Sequence, residues 1–313
     1  MNDFERIQSL IKDRAEAEAR LNLIPYDGSP EVKENKSGKY LYIRKRVGSR
    51  LTSTYVDVYS DDLYQLLLRN AREARELKKT IRAITKQLAL LGHTSSDLPA
   101  DVLQNVYFAR ANMKSSIYDQ AVLEGVSTTF PQTEDILENG TVNGMTASDV
   151  QKILNLKHAW EFILDEDVLQ VNSDYYLLCH IAKLVNEGIY SDGGRIRGVP
   201  VTIGGTSYIP PLPMESVVKE NLQDILSRES ETIDQAISLC LYVMQTQVFI
   251  DGNKRAAVLY ANHFLIAHGG GLLIVPEREV PEFKKLLVTY YESGDDSSIR
   301  SFLREKCSMK VGR

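Results

Sequence analysis

The chain has 313 residues, of which 43% are hydrophobic and 25% charged, with a formal net charge of −5. These are the proportions of an ordinary soluble globular protein, long enough for two domains or for one domain with a sizeable appendage. The acidic balance gives no reason to expect a general nucleic-acid binder. No apolar run approaches the roughly 18 residues that would cross a bilayer, so no membrane partner is expected. The opening residues Met1–Arg6 are charged and lack the apolar core of a signal peptide, and a cytoplasmic location is the expectation. Cys179, Cys240 and Cys307 lie too far apart to suggest a disulfide framework or a zinc site. Cys179 and Cys240 fall in apolar helical runs and are expected to be buried thiols.

In chain order, residues 1–22 predict an amphipathic helix with Phe4, Ile7, Leu10 and Ile11 on one stripe. A polar link, Asp27-Gly28-Ser29-Pro30, follows. Residues 39–46 and 51–59, rich in Tyr, Val, Ile and Thr around Gly48-Ser49, predict a β-hairpin. Ser60 can cap a long helix that ends near Gly92. Within it Ala74, Leu77, Ile81, Ile84, Leu88 and Leu91 recur at three- and four-residue steps. That is a coiled-coil seam, whose partner is either the N-terminal helix or a second copy of the chain. Lys78, Lys79, Arg82 and Lys86 form a basic face that Glu73 and Glu76 interrupt, as a solvated face would be.

The boundary is placed in the short linker 93–99, giving an N-terminal region over 1–95 and a larger helical block over 96–313. Helices are predicted near 100–123, 146–166, 173–187, 214–229, 231–247, 252–268, 280–294 and 297–306. The fold class is thus mainly α. Thr146 followed by Asp149 is a capping-box pattern with Asp in place of Glu. Between two of the helices, Val199, Val201 and Ile203 alternate, Gly204-Gly205 can turn, and Tyr208–Pro211 returns, predicting a small hairpin.

The stretch with most chemistry is Phe249-Ile250-Asp251-Gly252-Asn253-Lys254-Arg255. It opens a helix whose apolar run continues through Ala256, Ala257, Leu259, Tyr260, Phe264 and Leu265. A helix start leaves backbone N–H groups unpaired and carries partial positive charge, so anions settle there. Gly252 lets a phosphate come close to the backbone, Lys254 and Arg255 add charge, and Asp251 can hold a hard cation such as Mg²⁺. Taken singly, Asp251 is a plain helix N-terminal acid and the two cations a solvated face. Their order together favours a phosphate cradle.

With Gln247 and Val248 in front, this stretch resembles the signature of the Fic/Doc (Fido) family, His-x-Phe-x-Asp/Glu-Gly-Asn-Gly/Lys-Arg with a frequent second Arg three residues on. Gln247 stands where that family has its His, and Val258 where the second Arg falls. Gly193–Arg197 and the 199–211 hairpin resemble the family's flap, with Val201, Ile203 and Tyr208 in it. Leu177–Ile181 resembles part of the preceding helix. Leu123-Glu124-Gly125, followed by Ser127-Thr128-Thr129, resembles the inhibitory helix of one class, so Glu124 corresponds to the inhibitory acid. The resemblance spans about two-thirds of the chain, residues 100–306.

The resemblance implies a Fido-type helical core, and transfer of part of a nucleotide, most often AMP from ATP, to a hydroxyl of a target protein. ATP and Mg²⁺ would be the cofactors. Backbone N–H groups from Gly252 to Arg255 would hold phosphates, Asn253 would orient a phosphate or cap the turn, Arg255 would grip a terminal phosphate, and Asp251 would hold Mg²⁺. The family's His takes the proton of the attacking hydroxyl. Gln247 cannot, since a carboxamide has no useful basicity near neutral pH. Loss of a general base costs on the order of 10²–10⁴ in rate. His180 and His263 lie in apolar helical runs, and His93, His158 and His268 at loop or helix-surface positions, so none is an evident substitute.

Gln120 replaces the Ser/Thr usual four residues before the inhibitory Glu. Lys254 with no second Arg is closer to the Doc-like branch, which transfers a terminal phosphate. The expectation is therefore a nucleotide-phosphate site impaired in AMP transfer. An active adenylyltransferase or Doc-like phosphotransferase stays open as the alternative, as does a role for the N-terminal region as the partner-binding part.

Overall fold

The first helix, α1 (Asp3–Leu23), buries Ile11, Ala15 and Ala19 along one face, at the four-residue spacing of an amphipathic helix. The computed structural model describes residues 3–26, 28–36, 38–47, 50–91, 98–139 and 144–311. Gly48-Ser49, Gly92, residues 93–97, Asp27 and the Phe4 side chain, all invoked above, lie outside the described residues. The chain divides into two compact units, Met1–Ser95 and Ser96–Arg313.

In the first unit β1 (Ser29–Asn35), β2 (Gly38–Val47) and β3 (Arg50–Val58) form an antiparallel sheet in that order. The sequence predicts the β2–β3 pair but not β1, whose first two residues, Ser29-Pro30, it reads as the end of a polar link. β1 is an edge strand carrying Pro30, which an edge tolerates. None of its residues is buried, so it shows no alternating apolar pattern. Leu41 and Ile43 of β2 pack on Leu67 of α2 (Asp61–Leu90), with Val56, Tyr59, Leu63 and Tyr64 around them. Ser60 caps α2, its Oγ accepting from the Leu63 N–H at 3.3 Å. Leu67, Ala71, Ala74, Ile84 and Leu88 are the buried line of α2, and α1 packs against that helix, with Arg20 Nε 2.9 Å from Glu73 Oε1.

The second unit is helical. α3 (Ala100–Leu123), α4 (Phe130–Asn139), α5 (Ala147–Ile163), α6 (Tyr175–Val185), α7 (Glu215–Ser227) and α8 (Thr232–Thr246) lead to α9 (Asn253–Ala267). α10 (Val280–Ser293) and α11 (Ser297–Lys306) follow, with a two-stranded sheet of β4 (Leu272–Leu273) and β5 (Ser308–Met309). Thr146 caps α5 in the predicted manner: its Oγ1 accepts from the Asp149 N–H and donates to the Asp149 carboxylate. The sequence reading passes over α4, a 10-residue helix in which only a few side chains reach the core.

α9 is the axis of this unit. It is buried almost all round, with α3, α5, α6 and α8 packed on it, as a helix without a polar face must be. Its polar residues are paired internally. Asn262 bridges to β4, donating to the Leu273 carbonyl and accepting from the Leu273 N–H. His263 lies between Ser173 Oγ and the Val168 carbonyl, each 2.9 Å away. His158, expected at a helix surface, is buried instead, with Nδ1 3.2 Å from Glu187, because α5 is packed on several sides. Cys240 is buried as expected, and Cys179 is partly exposed. Among the described residues no helix is long and apolar enough to cross a membrane.

Candidate functional site

The loop from α8 to α9 bends twice through the left-handed region. Gln247 closes α8 at φ 49°, ψ 60°, and Gly252 opens α9 at φ 73°. Left-handed backbone costs an L-residue about 1–2 kcal/mol, and at Gln247 the surrounding contacts hold it there. Its Nε2 donates to the Met244 carbonyl at 2.6 Å, its Oε1 accepts from Asn253 Nδ2 at 3.1 Å, and its own carbonyl accepts from Arg197 Nε at 2.5 Å. Between the bends Val248 and Phe249 are fully buried, so Phe249 anchors the loop. Asn253 stitches the loop to the helix, accepting from the Phe249 N–H and donating to the Phe249 carbonyl.

Gly252 has a second reason to be glycine. A Cβ there would stand 2.8 Å from both Oδ1 and Nδ2 of Asn186. Asn186, at the end of α6, is fully buried. It donates to the carbonyls of Ala182, Gly193 and Asp251 and accepts from Arg255 Nη2. One carboxamide thus joins α6, the start of the flap and the α8–α9 loop.

Arg255 is only 1% exposed. Nη1 donates to the Val185 carbonyl, and Nη2 donates to Asp251 Oδ2 at 2.9 Å. Nε faces Glu124 Oε2 at 3.5 Å, and Lys254 Nζ lies 3.7 Å from Glu124 Oε1. Glu124 is itself 12% exposed in its side chain. It sits at the C-terminus of α3, where Gly125 at φ 80° permits the closing bonds Gly125 N–H to Val122 O and Val126 N–H to Ala121 O. One turn earlier Gln120 Nε2 donates to the Arg255 carbonyl at 2.9 Å, and Gln120 Oε1 accepts from Trp160 Nε1. The structure therefore brings Glu124, Asp251, Lys254 and Arg255 together at the N-terminus of α9.

Among the described residues, Glu124 Oε1 and Arg255 Nε are buried atoms without a hydrogen bond. The two groups meet at ion-pair distance only. The carboxylate of Glu124 stands where the positive end of α9 and two cations favour an anion. A phosphate oxygen could take the bond that Arg255 Nε lacks, so the residues fit a phosphate group. The Asp251 side chain is 42% exposed, with Oδ2 on Arg255. Among the described residues no cluster of three His, Cys, Asp or Glu could hold a metal. A single carboxylate suits Mg²⁺ only in the mode where substrate phosphates supply further oxygens.

The flap runs as extended chain turned at Gly204-Gly205, with Gly205 at φ 85°. Among the described residues its arms carry no strand ladder. Arg197 ties them instead: buried, it donates to the carbonyls of Val199, Pro210 and Pro211 as well as to Gln247, and its N–H reaches Val248. Its two terminal nitrogens bridge the arms, Nη1 on Val199 and Nη2 on Pro210 and Pro211. Val201 and Ile203 are half-buried. Tyr208 stacks on Tyr291 of α10, with ring centroids 5.9 Å apart. Glu292 accepts from Thr206 Oγ1 at 2.9 Å and so holds the flap tip. The Tyr291 hydroxyl donates to the Met244 carbonyl and reaches Gln247. Burial pushes its pKa above the ordinary tyrosine value, against a smaller opposing effect of Gln247, so it stays protonated.

Asn186 and Tyr291 were not singled out from the sequence, and Arg197 only as the end of the Gly193–Arg197 segment that resembles the flap. Each acts through backbone carbonyls or a ring face brought close only by folding, and no local motif marks them.

Residues 172–265 match the model of the Fic/DOC family, and residues 2–65 match a family described only as a domain of unknown function, DUF6788. No curated protein matches the chain. Among solved structures, Fic-1 (residues 134–508) from C. elegans is 21% identical, with a TM-score of 0.52 over 78% of this chain and 77% of its own. A Fic family protein from Desulfovibrio desulfuricans G20 is 14% identical, with a TM-score of 0.53 over 67% and 72%. A Fic domain-containing signaling protein from Bacteroides thetaiotaomicron VPI-5482 is 17% identical, with a TM-score of 0.51 over 70% and 89%. At these identities the likeness is one of fold. Residues 172–265 belong to the Fic/DOC family, and the helical core around them has the fold of Fic proteins.

Proposed function

We propose that the N-terminus of α9 is a nucleotide-phosphate site that has lost rapid group transfer, and that Glu124 occupies it as an internal anion. One observation carries this reading. The carboxamide of Gln247 is hydrogen-bonded at both of its polar atoms, one of them to Asn253 in the first turn of α9, and in that same turn the buried Arg255 Nε–H lacks a hydrogen-bond acceptor. The place offers charge for phosphate oxygens and no base for a hydroxyl proton. Gly252 permits close approach, the first N–H groups of α9 donate to phosphate oxygens, and Lys254, half-exposed, pairs with them once Glu124 withdraws. Arg255 offers Nε while its other nitrogens keep the loop in shape. Asp251 would hold Mg²⁺, which supplies charge neutralisation on the phosphates. Residues 96–313 act as the Fic domain and residues 1–95 as a separate module, in a protein of the cytoplasm.

Calorimetry with ATP in the presence and absence of Mg²⁺, paired with incubation of the chain with ATP labelled at the α or γ phosphate, tests the reading. The expected result is Mg²⁺-dependent binding by the unaltered chain and by Glu124→Gly, no label on protein from the unaltered chain, and α-label only after Gln247→His. Absence of nucleotide binding in both the unaltered chain and Glu124→Gly would overturn it. Label transferred by the unaltered chain would make it an active transferase instead.

A further inference from the structure

The sheet of the first unit uses only one of its faces in the core. Leu41 and Ile43 point onto Leu67, so the alternate positions of β2, Tyr40, Tyr42 and Arg44, point away from it. The register sets Tyr42 opposite Tyr55 of β3, and Lys33 of β1 opposite Tyr40. On this outer face the rings of Tyr42 and Tyr55 meet edge to face at 5.6 Å, and those of Tyr40 and Tyr55 lie 6.3 Å apart. Lys33 Nζ lies 4.2 Å above the Tyr42 ring, and Arg44 is exposed beside it in the strand. Tyr55 is 50% exposed and Leu51 57%. Three rings and two cations, with the Glu31 carboxylate 3.7 Å from Lys33 Nζ, therefore share one face that no helix covers among the described residues of this unit.

The chain-wide charge of −5 conceals an uneven split. Residues 1–95 hold 18 Lys and Arg against 13 Asp and Glu, a net of +5, which leaves 96–313 at −10. Within residues 28–59 there are seven basic against three acidic side chains. Charge of opposite sign in two parts of one chain points to different partners for the two parts. A polynucleotide presents an anion at every phosphate and a flat ring at every base, the two chemistries this face offers.

We propose that the outer face of the β1–β3 sheet binds single-stranded nucleic acid. Lys33 and Arg44 take phosphates, and Tyr55, with Tyr40 and Tyr42, stacks bases. This inference is independent of the site on α9.

The test is fluorescence anisotropy of the full chain with a labelled oligothymidylate of about 15 nucleotides, against a duplex of the same length, across a salt series. Binding to the single strand is expected, weakening with salt, and tighter than to the duplex. Tyr55→Ala and Arg44→Glu should each raise the Kd roughly tenfold. Tyr55→Phe keeps the ring and should bind as the unaltered chain does. Lys285→Glu, an exposed reversal on α10, should change nothing. Circular dichroism melting confirms that each variant is folded. No binding at low salt, tighter binding to duplex, or a Kd that Tyr55→Ala leaves unchanged would each overturn the proposal. Self-association of the chain that Arg44→Glu abolishes, with no oligonucleotide bound, would overturn it in favour of a protein partner.

Discussion

Gln120 Nε2 donates to the backbone carbonyl of Arg255 at 2.9 Å, which fixes α3 against the first turn of α9 and holds Glu124 one turn further on. The inhibitory acid of the Fic resemblance pairs with a second arginine that here is Val258, which is buried. In this chain Glu124 faces Arg255 and Lys254 instead. The contact is a buried ion pair without a hydrogen bond, so removing Glu124 leaves Arg255 and Lys254 short of an anion and vacates an anion site.

Glu124→Gly is therefore expected to tighten Mg²⁺-ATP binding about tenfold, the equivalent of roughly 1.4 kcal/mol. Calorimetry on the unaltered chain and the variant checks this. An unchanged affinity would mean that Glu124 does not compete for the site. Gln120→Ala acts on the same relationship from behind. It leaves the buried Trp160 Nε1–H without its acceptor, so a stability loss of about 1–3 kcal/mol is expected in urea unfolding.

Gly252→Ala meets both a left-handed backbone and the Asn186 carboxamide. The expected loss is at least about 1 kcal/mol from the backbone conformation, seen as a fall in melting temperature of about 2–4 °C or more for a unit of this size. Because Asn186 also binds the Asp251 carbonyl, nucleotide affinity should fall with it. A variant as stable as the parent would show that the loop adjusts freely.

Arg197→Met removes the donors that bridge the two arms of the flap. The carbonyls of Val199, Pro210 and Pro211 then lose their common partner, and the 199–211 segment should become the preferred site of limited proteolysis. Cleavage that starts elsewhere at the parental rate would contradict this role.

The buried thiols give a pH dependence with a definite sign. Burial pushes Cys240 and Cys307 up to about 12, and Cys179 up to about 11. An unfolded thiol titrates near 8.5. Above that pH the folded chain keeps protons that the unfolded chain has lost, so stability falls as pH rises from about 8.5 towards 12 and is undiminished below 8.5. Urea midpoints from pH 7 to 10.5 should decline, and Cys240→Val should flatten part of that decline. A variant that declines as steeply as the parent would remove Cys240 from the account.

Much of the helical unit was legible because its signals are local. Thr146 marks a helix start, the apolar periods of α5, α8 and α9 run for several turns, and Asp251-Gly252-Asn253 announces a turn opening a helix. Strand β1 and helix α4 were not legible, since each buries too little apolar surface to print a period. The placement of His158 went astray for the opposite reason: a helix packed on several sides gives no surface for a histidine to occupy.

The order of residues by itself determined the bend at Gly252, the absence of a basic side chain at position 247, and the concentration of charge and glycine at the start of α9. These depend on the chemistry of neighbours in sequence. Only the tertiary structure decided that Glu124, more than a hundred residues upstream of Lys254 and Arg255, would face them, that Arg197 would replace a strand ladder, and that three tyrosines would share one open face. Such contacts join groups far apart along the chain, and their energies exist only once the helices and strands that carry them have packed.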